Sequence, residues 1–228
     1  PSATIVASST PTLAPLPSLT PEIEMMLSPN GEVVSRLDVG EKKLIALTID
    51  DGYGRLPFDA IIELLRERDL QATFFLVAHA AINLGPERMV TLVADGHQIA
   101  YHSFSHDDLE ILSRWNQDDW IVDYQNWEAA FRELLGDEVY EEVVRPYARA
   151  PYGLFNAPFL VMTEEMGLVP LGWSKAPDDL ARSMALESGD IFLFHVRYPD
   201  VDLMGPIMDE SGFEFVSLDE LIAEANLK

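Results

Sequence analysis

The chain has 228 residues, enough for one domain with a sizeable core. Its 39 acidic and 15 basic residues give a formal net charge of −24, which argues against nucleic acid and anionic membrane surfaces as partners and suits a neutral or cationic one. Cysteine is absent, so neither a disulfide framework nor a thiolate metal site can form, and no apolar run approaches the ~20 residues of a membrane span.

Residues 1–21 are rich in Ser, Thr, Pro and Ala, a composition that buries no core and reads as a linker or stalk. Such stalks often follow export signals, and Pro1 in place of Met reads as a processed or trimmed start. The expectation is an extracytoplasmic protein: secreted, periplasmic or surface-anchored. Residues 1–40 are assigned to linker and irregular lead-in, and 41–228 to the folded domain.

The run Leu44-Ile45-Ala46-Leu47 then reads as a buried strand, ending in Asp50-Asp51-Gly52. Adjacent carboxylates repel, so a site holding both must offer a cation or a proton. Residues 57–69 show helical spacing, 72–77 a second buried strand, 86–95 a helix stopped by Gly96, and 98–101 a third strand. Residues 115–135 form a long amphipathic helix stopped by Gly136. A fourth strand covers 143–148, with Pro146 marking an edge or bulge. A helix at 158–166, strands at 168–173, 191–194 and 213–216, and a final helix at 218–225 complete the chain. This alternation predicts an α/β fold with a parallel sheet, either closed into a barrel or open and doubly wound.

Chemistry-bearing residues collect where apolar runs end. His102 and His106, two of the five histidines, are spaced to share one face of a helical turn. With a strand-end carboxylate they make the ligand set of a catalytic zinc-type site, which Co2+ and Ni2+ also fit. Arg149 can hold a carboxylate in one orientation, and the turn Pro151-Tyr152-Gly153 can aim a backbone N–H at a developing oxyanion. His195 closes the run Ile191-Phe192-Leu193-Phe194, half buried, where its pKa can be tuned for proton transfer. In a parallel barrel all these strand ends share one face.

On these residues the chain resembles the polysaccharide deacetylases of the NodB-homology type, carbohydrate esterase family 4. Thr48-Ile49-Asp50-Asp51-Gly52 is similar to the family's first motif and His102-Ser103-Phe104-Ser105-His106 to its second. Arg149-Ala150-Pro151-Tyr152-Gly153 is similar to the third, and Leu193-Phe194-His195 to the fifth. The resemblance implies a distorted (β/α) barrel with fewer than eight strands. It implies a metal-dependent hydrolase that removes acetyl groups from a carbohydrate such as chitin oligomers, peptidoglycan or acetylxylan. By resemblance Asp51, His102 and His106 bind one divalent metal, zinc first. Asp50 is the base held by Arg149, His195 is the acid, and the Tyr152 N–H stabilises the oxyanion. Pro151, Trp173 and Leu193 stand at the substrate, the last two lining an acetyl pocket.

Two departures stand out. The family's fourth motif carries an aspartate that orients the acid histidine. Here Ala176 occupies its place and Leu180 that of a following tryptophan, leaving Asp178 or Asp179 as substitutes. Tyr101 replaces a common asparagine, which predicts an altered pocket rim. The altered fourth motif also keeps a second expectation open, a carbohydrate-binding relative with weak or no turnover.

Overall fold

The computed structural model describes residues 33–181 and 185–226. The stalk assigned to residues 1–21 and most of the 1–40 lead-in lie outside the described residues.

The run before the Asp-Asp pair forms β1 (Leu44–Asp51), buried along almost its whole length. Its side chains alternate between two apolar clusters, Ile45, Leu47 and Ile49 in one and Leu44 and Ala46 in the other. Burial on both faces is why the run is continuously apolar, as in parallel sheets covered on both sides. The chain then continues as α1 (Arg55–Glu67), β2 (Thr73–Leu76), α2 (Ala78–Leu84), α3 (Pro86–Ala94) and β3 (Gln98–Tyr101). Next come α4 (Leu109–Leu112), α5 (Gln117–Leu135), α6 (Asp137–Val143), β4 (Val144–Ala148), α7 (Ala157–Glu165) and β5 (Val169–Pro170). It closes with α8 (Pro177–Ala181), β6 (Ile191–His195), α9 (Tyr198–Glu210), β7 (Glu214–Val216) and α10 (Leu218–Asn226).

The strands lie in the order β5-β4-β3-β2-β1-β6, all parallel, while β7 pairs with β1 over Leu44–Ala46. The two ends of this sheet meet. Beyond β5 the backbone runs on to β6, where Ser174 N–H donates to the Ile191 carbonyl (3.0 Å) and Leu193 N–H to that of Lys175 (2.8 Å). Val34 bridges Leu171 and Arg36 bridges Asp190 across the same seam. Among the described residues the fold is therefore a distorted barrel of fewer than eight strands, not an open sheet. Leu44, Ala46, Phe75, Ala100 and Ile191 pack inside it with Leu218, Leu221 and Ile222 of α10. The larger cluster lies between strands and helices, with Phe58 of α1, Trp120 and Trp127 of α5, and Phe159 of α7.

Several sequence expectations are corrected. The strand expected at 168–173 is only Val169–Pro170, because the following residues turn into the seam. The long helix starts at Gln117, where the Asn116 side chain accepts the Asp118 and Asp119 N–H groups and Asp119 returns a bond, a capping box. Helices α2, α4, α6, α8 and α9 were not anticipated. In α9, Pro199 starts the helix, and Gly205 and Pro206 interrupt its interior, masking a helical pattern. Pro146 does mark an irregularity, since the β3–β4 register shifts between Ile99 and Tyr101. Among the described residues, no helix is long and apolar enough to cross a membrane.

Candidate active site

The carboxyl ends of β1, β3, β4 and β6 open on one mouth of the barrel. There Arg149, which follows β4, is wholly buried. Its Nη1 donates to Asp50 Oδ1 at 2.6 Å and to Thr48 Oγ1 at 3.0 Å. Its Nε reaches the Leu171 carbonyl at 3.1 Å, Nη2 the Gly172 carbonyl at 2.8 Å, and its Cζ lies over the Phe75 ring, 4.0 Å from the ring centroid. Burial lowers the guanidinium's pKa and Asp50 opposes that pull. A buried guanidinium is tolerated when its donors are satisfied and a carboxylate is paired to it.

Asp51 ends β1 with φ 77°, and Gly52 continues the turn at φ 95°. A Cβ on Gly52 would come within 3.0 Å of Leu76, so the turn also needs glycine for space. Asp51 Oδ1 lies 3.4 Å from His102 Nε2 and 3.6 Å from His106 Nε2. One ligand atom from each of the three side chains falls within 4.8 Å of the others. Ligands about 2.0 Å from a tetrahedral ion stand roughly 3.3 Å apart, so the donor set and its spacing fit a divalent cation.

His102 Nδ1 sits 2.8 Å from the Arg149 carbonyl. A carbonyl only accepts, so Nδ1 carries the hydrogen and Nε2 turns its lone pair toward Asp51. The electrostatics agree with positive charge at this point. Burial raises the Asp51 pKa, but His102, His195 and His106 outweigh it and hold the carboxyl below its usual range. Burial lowers that of His102, but Asp50 and Asp51 outweigh it and raise the ring. His106 is lowered, by burial and then by His102.

The two histidines do not share a helical turn, as their spacing suggested. The segment between β3 and α4 is a loop in which Ser103 (φ 70°) and His106 (φ 55°) adopt left-handed backbone. His106 N–H donates to Ser103 Oγ at 2.9 Å, and Phe104 N–H to Asp123 Oδ1 at 2.9 Å. Of the five non-glycine residues with positive φ among those described, Asp51, Ser103, His106 and Tyr152 belong to this mouth. Clustering of such conformations is characteristic of functional sites.

Tyr101 is also corrected. It does not border the mouth: it is buried on the outer face, its hydroxyl donating to Asp123 Oδ1 at 2.5 Å and its ring meeting Trp127 edge-on. Asp123, from α5, thus anchors the histidine loop from behind. Nothing in the local sequence at 123 marks that role.

Pro151–Gly153 forms a tight turn in which Tyr152 has φ 57° and an exposed ring stacked edge-on against His106, 4.6 Å between centroids. Pro151 is buried beneath it. A Cβ on Gly153 would lie 3.0 Å from the Trp173 ring, which therefore packs against this turn, 5.8 Å from the Arg149 guanidinium. Leu193 is buried on β6 opposite Thr48.

His195 lies opposite Asp50 in the β1–β6 register and is partly buried. Neither expected substitute for the missing aspartate faces it. Asp179 Oδ2 instead accepts the Ala176 N–H at 3.0 Å at the start of α8, and Asp178 is exposed. The carboxylate beside His195 belongs to Asp200, in the first turn of α9. Its Oδ2 accepts the His195 backbone N–H at 2.7 Å and lies 3.5 Å from His195 Nδ1, while Oδ1 accepts Arg197 Nε at 2.6 Å. Sequence reading missed this residue because α9 was missed. A Pro-Asp pair just after a strand-end histidine was the available signal. Burial lowers the His195 pKa, but Asp200, then Asp50 and Asp51, outweigh it and raise it above the ordinary value, with Arg197 opposing.

Comparison with known proteins gives a consistent picture. A family model for polysaccharide deacetylases matches residues 38–171. A chitooligosaccharide deacetylase from Bradyrhizobium sp. is 28% identical over 172 residues, covering 71% of this chain and 74% of that protein. A peptidoglycan-N-acetylglucosamine deacetylase from Listeria monocytogenes is 28% identical over 196 residues, covering 80% of this chain and 39% of that protein. A solved family 4 carbohydrate esterase from Bacillus anthracis superimposes with a TM-score of 0.70 at 29% identity, covering 87% of this chain and 90% of that one.

Proposed function

Because the chain belongs to the polysaccharide deacetylases of carbohydrate esterase family 4, it is a deacetylating hydrolase, and we propose that it removes acetyl groups from N-acetylglucosamine polymers. Chitin oligomers and peptidoglycan come first as substrates and acetylated xylan second. The observation that carries this reading is the meeting of Asp51, His102 and His106 beside an Asp50 held by Arg149.

In this reading Asp51, His102 and His106 hold one divalent ion, zinc first. Such an ion supplies Lewis acidity, which polarises an acetyl carbonyl and acidifies water. Asp50 takes a proton from the attacking water as its oxygen bonds to the acetyl carbon. Arg149 keeps the Asp50 carboxylate in one orientation and balances its charge. The Tyr152 N–H, which has no hydrogen-bond partner among the described residues, is free to donate to the developing oxyanion. His195 protonates the departing nitrogen as the C–N bond breaks, so that acetate and a free amine leave. Trp173 and Leu193 border the space for the acetyl methyl group. The binding-only reading rested on the missing fourth-motif aspartate, and with Asp200 beside His195 no observation favours it.

The test is acetate release from chitin oligomers, peptidoglycan and acetylxylan, each with Zn2+, Co2+ or Ni2+ added. Release from at least one glucosamine polymer, lost in Asp51→Asn, is expected. An Asp51→Asn protein as active as the parent would overturn the reading. An extracytoplasmic location belongs to the same proposal, since these polymers lie outside the cytoplasm and residues 1–21 have a stalk's composition. Fractionation of the producing cell checks it, and recovery in the cytosol would refute it.

A further inference from the structure

We propose that Asp200 is the positioning residue that holds His195 ready for proton delivery, standing in space where the fourth motif supplies nothing. The inference rests on the deacetylase reading for the reaction itself, but the pair is read from geometry.

Asp200 is almost fully buried, and both its carboxylate oxygens are engaged. One oxygen touches His195 twice, at the backbone N–H (2.7 Å) and near ring Nδ1 (3.5 Å). The ring distance is long for a hydrogen bond and short for an ion pair, an arrangement that tightens when the ring is charged. Nδ1 has no other hydrogen-bond partner among the described residues. A carboxylate beside Nδ1 keeps a proton on that nitrogen and leaves Nε2 as the one that exchanges protons with substrate.

Asp200 is itself held ionised. Burial raises its pKa, but His195 and Arg197 outweigh that and bring it below the usual range. It also sits in the first turn of the thirteen-residue helix α9, where the helix dipole favours an anion. The other charged groups facing His195 are Asp50 and Asp51 from β1 and Arg197 from its own segment. Asp50 and Asp51 have partners of their own in Arg149 and the histidine pair, so Asp200 is the carboxylate available to the ring.

Asp200→Asn tests this, since it keeps an oxygen for the His195 N–H and removes only the charge. In the zinc-loaded protein, kcat for acetate release should fall ten- to a hundredfold with KM within about twofold. The alkaline limb of the kcat profile, where His195 loses its proton, should move to lower pH. NMR titration of the His195 ring should show the same downward move, while zinc affinity stays within about threefold. Asp178→Asn, at an exposed site, should leave the His195 titration unchanged. An unmoved His195 titration in Asp200→Asn would overturn the inference. So would loss of zinc binding along with activity, which would make Asp200 a support of the fold. The NMR measurement reads the pair even where no sugar releases acetate, so this inference and the deacetylase reading fail separately.

Discussion

Arg149 Nη1 and Asp50 Oδ1 lie 2.6 Å apart, and both side chains are shut off from solvent. The same guanidinium takes hold of two carbonyls and a threonine hydroxyl, so it ties β1 to the seam of the barrel while fixing the carboxylate. Removing the cation leaves Asp50 buried and unpaired, which costs about 3–5 kcal/mol. Arg149→Met should therefore lower stability by that order in urea unfolding. Asp50→Asn added to it should restore part of the loss. Unfolding of Arg149→Met at the parent's midpoint would mean that the pair is not what holds this region.

The three-ligand cluster should bind a divalent ion in the folded state alone. Zinc at a hundred times its dissociation constant should stabilise the parent by about 2.7 kcal/mol. Asp51→Asn should gain little at the same zinc concentration, and a chelator should return the parent to its metal-free midpoint. Equal zinc gains in the two proteins would place the ion elsewhere.

Asp123 carries a prediction in pH. Burial pushes its pKa up to about 6, against the opposing hydrogen bonds from Tyr101 and Phe104. The folded state therefore keeps a proton that the unfolded chain releases near pH 4. That contribution to stability is fully present below about pH 4 and is lost as pH rises through about 6. Asp123→Asn stays neutral throughout. Relative to the parent, it should gain on the order of 3 kcal/mol between pH 4 and pH 7.5. Urea unfolding of both proteins across that range measures it, and a difference that does not change with pH would refute it.

Gly189 closes the seam under tight constraint. It has φ 80°, and a Cβ there would fall 1.7 Å from the Leu37 carbonyl oxygen. That oxygen belongs to backbone, and Leu37 N–H also donates to the Gly189 carbonyl at 2.9 Å. Gly189→Ala should force residues 34–37 off the barrel and cost about 2–4 kcal/mol, combining left-handed strain with a displaced strap. Thermal unfolding checks it; a midpoint within 1–2 °C of the parent's would show that the strap contributes nothing (roughly 2–4 °C per kcal/mol at this chain length).

Much of this molecule could be read before folding was considered. The strands of a barrel packed on both faces are continuous apolar runs, so β1, β2, β3 and β6 stood out, and the polar residues following β1, β3, β4 and β6 marked the mouth. The short and interrupted elements were read less well. β5 was expected over 168–173 but contributes two residues, and α9, which carries a glycine and a proline where a helix is usually uniform, was missed. The spacing of His102 and His106 indicated that they meet but misjudged how, because a loop with two left-handed residues has no period to detect.

The amino-acid sequence by itself determined the class of fold, the order of the strands along the chain and the chemical kinds of group at their ends. Those follow from burial and from residue type, which are local properties. Which carboxylate faces His195, which carbonyls and hydroxyl hold Arg149 besides Asp50, and that Tyr101 points to Asp123 and away from the mouth were decided only in three dimensions. Each depends on backbone atoms of distant segments coming within about 3 Å, the range over which a hydrogen bond acts. Closure of the barrel and the docking of α9 create that proximity, and no spacing along the chain encodes it.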